Sequence, residues 1–262
     1  MVREAEFSAM GEMLGLNAAL NMIAGPCSIE SEAQMESVAC ALVHNGVKIM
    51  RGGAYKPRTS PYDFQGLGLE GLKMLKYTCE KFNLLSISEL LDVQNLQAVL
   101  DHVDIIQIGS RSMHNTALLK EVGRTRHPVL LKRGLMSTLD EFLHALEYIV
   151  SNGNRNVIAC ERGIRTFESS TRNTLDLSSV AILKKDTALP VVVDLSHSLG
   201  HRKDIVGPIA KASIACGADG LMVEVHSDPA KALSDSDQQL TLGEFQILCD
   251  EITSFRDHMG AC

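Results

Sequence analysis

The sequence predicts a single (β/α)8 TIM barrel of the α/β class, and three observations predict it. Eight short apolar runs of strand type recur along the 262 residues, separated by stretches of helical pattern. The runs start roughly every 20 to 37 residues, the spacing of repeated βα units in a parallel sheet. Each closes on a charged, thiol or imidazole residue, and in this fold chemistry gathers at the C-terminal ends of the strands.

The elements follow in order. NMIAGPC (21–27) ends at Cys27. SEAQMESVACALVHNG (31–46) reads as a helix, opened by a Ser31 cap and closed at Gly46. VKIMRGG (47–53) brings Arg51, LLSISE (84–89) brings Glu89 and DIIQIGSR (104–111) brings Arg111. VLLKRG (129–134) carries Lys132. A helix from Thr138 to Gly153 follows it, with apolar residues three and four apart. NVIACER (156–162), VVVDLSH (191–197) and LMVEVH (221–226) end the series with Arg162, His197 and Glu224. Runs this rich in Val, Ile and Leu suit strands buried on both faces.

A 45% hydrophobic content over this length supports one large core. No linker, charge block or low-complexity segment divides the chain, so residues 1–19 are expected to form a short N-terminal extension and 20–262 the barrel. No apolar stretch approaches the about 18 residues of a membrane span. The opening segment has no basic region of the signal-peptide kind. A formal net charge of −7 argues against a nucleic-acid partner. Seven cysteines, an odd number with no CxxC pair, fit reduced thiols in a cytoplasmic protein.

Cys27, His197, Glu224 and Asp235 are read as strand-end residues that a barrel rim would bring together. Thiolate, imidazole and carboxylate together suit one divalent transition metal ion, Mn, Fe, Zn or Co, better than Ca²⁺ or Mg²⁺. A lone cysteine after a strand is also an ordinary core residue, and the residues alone leave both readings open. His226, two residues beyond Glu224, is open to three roles: ligand, partner of a ligand, or general base. RGGAYKPRTSP (51–61) combines Arg51, Lys56 and Arg58 with the Thr59 and Ser60 hydroxyls between stiffening prolines. That suits a phosphate or carboxylate, although a solvated basic loop would read the same. Arg111, Lys132 and Arg162 on separate strand ends would repel one another without bound anions. Glu89 offsets that charge or positions a water.

At these residues the chain resembles the 3-deoxy-D-arabino-heptulosonate 7-phosphate (DAHP) synthases. AGPCSIES, RGGAYKPRTSP, QIGSRSMHN, LLKRG, ERGIRTFE, VVVDLSHSLGHR and DGLMVEVHSDPAKALSDSDQQL carry the resemblance, in order, over roughly residues 20–257. It implies that Cys27, His197, Glu224 and Asp235 hold the metal. It also implies that Arg51, Lys56, Ser110, Arg111, Lys132 and Arg162 bind phosphoenolpyruvate, and that Arg58 and Thr59 bind the phosphate of erythrose 4-phosphate. Lys56, Glu89 and His197 are the implied catalytic residues. The compact subgroup without a regulatory domain matches best, with a homo-oligomer, a tetramer, and no control by aromatic amino acids as its expectations. The 3-deoxy-manno-octulosonate 8-phosphate synthases share the barrel, but KPRT stands where they resemble KANR. A Schiff-base aldolase built on Lys132 and a silent phosphometabolite-binding barrel are the more distant alternatives.

Overall fold

The structure is a computed structural model that describes residues 2, 7–8, 10–14, 20–56 and 60–260. Its strands are β1 (Asn21–Gly25), β2 (Ile49–Arg51), β3 (Leu85–Glu89), β4 (Ile105–Ile108), β5 (Val129–Lys132), β6 (Val157–Glu161), β7 (Val191–Asp194) and β8 (Gly220–Glu224). Each pairs in parallel with its neighbour in sequence, and β1 pairs with β8 to close the barrel. A short helix α1 (Met10–Met13) precedes β1. Helices α2 (Glu32–His44), α3 (Leu69–Phe82), α4 (Leu96–Leu100), α5 (Thr116–Gly123) and α6 (Leu139–Ser151) follow the first five strands. Then come α7 (Leu177–Asp186), α8 (Leu195–Leu199), α9 (Val206–Ala215) and α10 (Leu242–Gly260).

The expected helix starts are present with their caps. The Ser31 side chain accepts from Gln34 N, and Thr138 and Glu141 form a reciprocal capping box. The α2 chain leaves its helix through Asn45 and Gly46, whose φ of +69° suits a residue without Cβ.

Strand alternation sorts the barrel into layers. Ile23, Ile49, Ile87, Ile105, Leu130, Ile158, Val192 and Met222 form a buried apolar layer inside it. Met10 of α1 joins that layer, with Met13 and Leu14 packed against it, so α1 fills the interior from the N-terminal ends of the strands. Residues of the opposite parity, such as Ala24, Met50, Ile106, Leu131 and Val193, pack outward into the larger cluster beneath the helices. Two residues beyond each inner apolar side chain stand Gly25, Arg51, Glu89, Gln107, Lys132, Cys160, Asp194 and Glu224, because the period along a strand is two. Polar residues at the strand ends are therefore the layer directly above the apolar one. Gly25 completes that layer where β1 and β2 converge: a Cβ there would lie 2.1 Å from the Arg51 carbonyl oxygen.

Candidate active site

Above the inner layer lies a cleft of about 220 Å³, lined by seven basic side chains and only three carboxylates. Arg51, Lys56, Glu89, Ser110, Arg111, Lys132, Arg162, His197 and Asp235 of the sequence-based set all line it. Cys27 and Glu224 are fully buried beside it. Arg58 and Thr59 lie outside the described residues.

The donor atoms of Cys27, Glu224 and Asp235 lie within 4.8 Å of one another. Cys27 Sγ is 3.4 Å from Asp235 Oδ2. His197 Nε2 stands 3.6 Å from Glu224 Oε1 and 4.0 Å from Asp235 Oδ2. One expectation needs correction: Asp235 is not at a strand end. It sits on the long connector between β8 and α10, at the start of a 3-10 turn, with φ of +47°. Cys27 and His197 likewise lie two or three residues past their strands, His197 within α8.

The imidazole state follows from its partners. Asp194 Oδ2, a pure acceptor, is 2.8 Å from His197 Nδ1, so Nδ1 carries the proton and Nε2 presents a lone pair. Burial holds the His197 pKa below its ordinary value, outweighing the pull of Asp194. A neutral nitrogen lone pair thus faces two carboxylate oxygens, and among the described residues no donor reaches it. Thiol, imidazole and two carboxylates converging in this way fit a divalent transition metal ion.

The charges around this group are arranged to keep the carboxylates ionised. Burial alone would raise Glu224, but Arg51, His197 and Lys56 bring it down to about 2. Arg51 Nη1 donates to its Oε1, and Gln238 Nε2 donates to its Oε2 at 2.6 Å. Burial and the Glu224 charge push the Cys27 thiol up to about 11, with Lys56 pulling the other way. Lys56 Nζ lies 2.9 Å from Cys27 Sγ and 3.0 Å from the Cys27 carbonyl oxygen. Burial works against the Lys56 charge, but Cys27 and Glu224 more than offset it and its pKa is raised.

Lys132 and His197 share Asp194. Lys132 Nζ donates to Oδ2 at 2.5 Å, and Oδ1 accepts from the His197 backbone N–H at 3.0 Å. Burial opposes ionisation of Asp194, yet His197 and Lys132 hold it well below the carboxylate range. Arg162 contrasts with both. It is buried, its Nε has no partner, and its Nη1 reaches only the Gly163 carbonyl at 3.3 Å. Burial depresses its pKa, an unfavourable state for a cation that an anion in the cleft would relieve. Arg133, the residue after Lys132, pairs instead with Glu161 and Asp176 at 2.9 Å each and serves the scaffold.

Glu89 reaches the cleft beside Gly109, where a Cβ would lie 2.0 Å from its Oε1. Gln107 Nε2 steadies its Oε2 at 3.3 Å. His226 does not join the metal group. Its Nδ1 accepts from Asp228 N–H at 2.9 Å and its Nε2 faces Glu30 at 3.5 Å. Asp194, Gln238, Arg165 and Arg172 were not singled out from sequence. The first three lie inside the motifs quoted above, and Arg172 follows one of them by a few residues. Arg172 lines the cleft, pairs with Asp235 at 3.4 Å and donates to Gln238 Oε1.

Known proteins share this sequence and fold over almost the whole chain. The profile of the DAHP synthetase I family matches residues 4–258. A phospho-2-dehydro-3-deoxyheptonate aldolase of Thermotoga maritima is 49% identical over 251 residues, covering 96% of this chain and 74% of that protein. A 2-dehydro-3-deoxyphosphooctonate aldolase of Nitrosococcus oceani is 31% identical over 263 residues, covering 93% and 92%. The crystal structure of the Thermotoga maritima phospho-2-dehydro-3-deoxyheptonate aldolase (DAHP synthase) superposes with a TM-score of 0.90 at 49% identity, over 93% of this chain and 71% of that one. A truncated form of 3-deoxy-D-arabino-heptulosonate 7-phosphate synthase from the same organism gives 0.86 at 45% identity, over 93% and 89%. With a closed barrel, a cation-lined cleft and a matching profile over almost its whole length, the chain belongs to the DAHP synthetase I family.

Proposed function

We propose that the protein is a metal-dependent DAHP synthase. This transferase condenses phosphoenolpyruvate, D-erythrose 4-phosphate and water into 3-deoxy-D-arabino-heptulosonate 7-phosphate and inorganic phosphate, the first step of the shikimate pathway and of aromatic amino acid biosynthesis. The observation that carries this reading is the buried, carboxylate-free guanidinium of Arg162 in the same cleft as the Cys27, His197, Glu224 and Asp235 group. Arg51, Lys56, Ser110, Arg111, Lys132 and Arg162 take phosphoenolpyruvate, and Arg58 and Thr59 take the phosphate of the aldose.

A bound Mn, Fe, Zn or Co ion supplies Lewis-acid polarisation of the aldehyde oxygen. The protein's own residues do the rest. Lys56 Nζ carries three N–H bonds; two meet the sulfur and carbonyl oxygen of Cys27, leaving the third for a substrate oxygen. Lys132, anchored by Asp194, and Arg162 hold the carboxylate and phosphate so that phosphoenolpyruvate C3 faces the aldehyde carbon. Such positioning is worth of order 7 kcal/mol at best. Glu89, steadied by Gln107, orients the water that adds at C2 before phosphate leaves. His197 keeps its Nδ1 proton, which it donates to the Asp194 carboxylate.

A homotetramer formed through the helical outer faces belongs to the same reading, as does a cytoplasmic location. The six described cysteines are all free, in keeping with a reducing compartment. No described helix is long and apolar enough to cross a membrane.

The test is an assay of phosphate release and 3-deoxyulosonate formation with a panel of four- and five-carbon aldose phosphates, before and after chelation. Erythrose 4-phosphate is expected to be the preferred acceptor, with activity lost to chelator and restored by Mn²⁺. Exclusive use of a five-carbon aldose phosphate would overturn the choice of acceptor, and full activity in chelator would overturn the metal.

A further inference from the structure

Asp235 holds a left-handed backbone conformation on a connector that has only short 3-10 turns of its own. A non-glycine residue is uncommon in that region, although aspartate enters it more readily than most. Arg172 and Gln238 reach the Asp235 carboxylate, and the segment after Cys27 holds the two residues before it. Glu30 Oε1 accepts from the backbone N–H of Leu233 at 2.9 Å and from Ser28 Oγ at 3.2 Å. Ser28 Oγ and Ser234 Oγ share a hydrogen bond of 2.7 Å. Glu30 Oε2 lies 3.5 Å from His226 Nε2 without a hydrogen bond between them, and Nε2 has no partner among the described residues.

One carboxylate therefore holds the connector just ahead of Asp235, directly at the Leu233 N–H and through Ser28 at Ser234. A plainer role for an acid just ahead of α2 is to favour the helix dipole. The Glu30 carboxylate instead turns to the connector, while its backbone N–H is taken by Gln34 Oε1 at 2.9 Å. We propose that Glu30 is a positioning residue for the metal group, holding the segment that carries Asp235 against the segment that carries Cys27. This rests on the reading that Cys27, His197, Glu224 and Asp235 bind a metal.

The experiment is titration of chelator-treated protein with Co²⁺, following the thiolate-to-cobalt absorption and fixing the Kd by competition with a chelator. Glu30→Ala is expected to raise the Kd by about ten- to a hundredfold, the range for partners that orient metal ligands. The unfolding midpoint of the metal-free protein and the KM for phosphoenolpyruvate at saturating metal stay near those of the unsubstituted protein. Glu30→Gln keeps a carbonyl oxygen for the Leu233 N–H and the Ser28 hydroxyl, and is expected to recover most of the affinity. A Kd in Glu30→Ala equal to that of the unsubstituted protein overturns the proposal. So does a Glu30→Gln variant as weak as Glu30→Ala, or a Glu30→Ala variant whose metal-free form melts much earlier. Absence of the thiolate–cobalt band in the unsubstituted protein overturns the metal reading itself, and the proposal with it.

Discussion

The ammonium of Lys56 lies 2.9 Å from the sulfur of Cys27, so a residue of the basic loop touches a candidate metal ligand. On the proposed reading, substrate binding and metal binding share a boundary at this contact. Changes on either side should be felt on both.

Metal binding should release a proton. The Cys27 thiol, pushed up to about 11, is protonated at neutral pH in the metal-free protein, whereas the depressed pKa of His197 leaves the imidazole already neutral. The apparent affinity for Co²⁺ or Zn²⁺ should therefore rise about tenfold per pH unit between about pH 7 and 9. Cys27→Ser should flatten that slope, keep the fold and lose most of the bound metal. Calorimetry in buffers of different ionisation heat counts the proton directly.

Arg162 is a cation whose burial is uncompensated in the free protein. Arg162→Met should raise the KM for phosphoenolpyruvate by roughly 10- to 150-fold, from a charge-assisted bond worth about 1.5–3 kcal/mol. The same substitution should leave the unliganded protein as stable or more so, because it removes a buried unpaired charge. Thermal melts with and without phosphoenolpyruvate check both halves. A large loss of stability without ligand would show that Arg162 is structural.

Asp194 ties two functions together, so its loss should damage both. Asp194→Asn presents an amide N–H where His197 Nδ1–H or Lys132 Nζ needs an acceptor. Metal affinity should fall about 10- to 100-fold, and the KM for phosphoenolpyruvate should rise in the same variant. Acid dependence follows from the same charges. Asp194 and Glu224 are held below their ordinary values, so their stabilisation is present above about pH 4.5 and lost as pH falls toward 2. Urea melts of chelated protein between about pH 6 and 3 should show that decline, and Glu224→Gln should make it shallower.

Gly109→Ala probes Glu89 without touching it. The added methyl would sit 2.0 Å from Glu89 Oε1 and must push the carboxylate from its place. Turnover should fall with little change in either KM. Gly243→Ala, with nothing within 4 Å of its Cβ in α10, is the control and should be neutral or stabilising by up to about 1 kcal/mol. Equal turnover in the two variants would remove Glu89 from the reaction.

The barrel was legible in the sequence because its strands are apolar on both faces and its helices carry ordinary caps, as at Ser31 and Thr138. The rim residues were legible because a polar side chain one layer above an apolar barrel interior interrupts a hydrophobic run. Asp194 interrupts VVVDLSH in the same way, yet it gave no signal of its role. Its partner Lys132 is 62 residues away, and only closure of the barrel brings them together. Gln238 and Arg172 were hidden for the same reason, since their meeting joins two long connectors that have no period to read. The short α1 is too brief for a periodic pattern, and its burial depends on the finished barrel below the strands. Glu30 was hidden too, since its partner Leu233 is 203 residues away.

Closure of the barrel interior by Met10 and the isoleucine layer makes the cleft a cul-de-sac. Whatever enters last must leave first. An ion seated at Cys27 would leave through the cleft proposed for the substrates, so phosphoenolpyruvate bound there would act as a stopper. Chelators should then strip the ion more slowly as phosphoenolpyruvate is added, in proportion to occupancy, even where the affinity for the ion at equilibrium is unchanged.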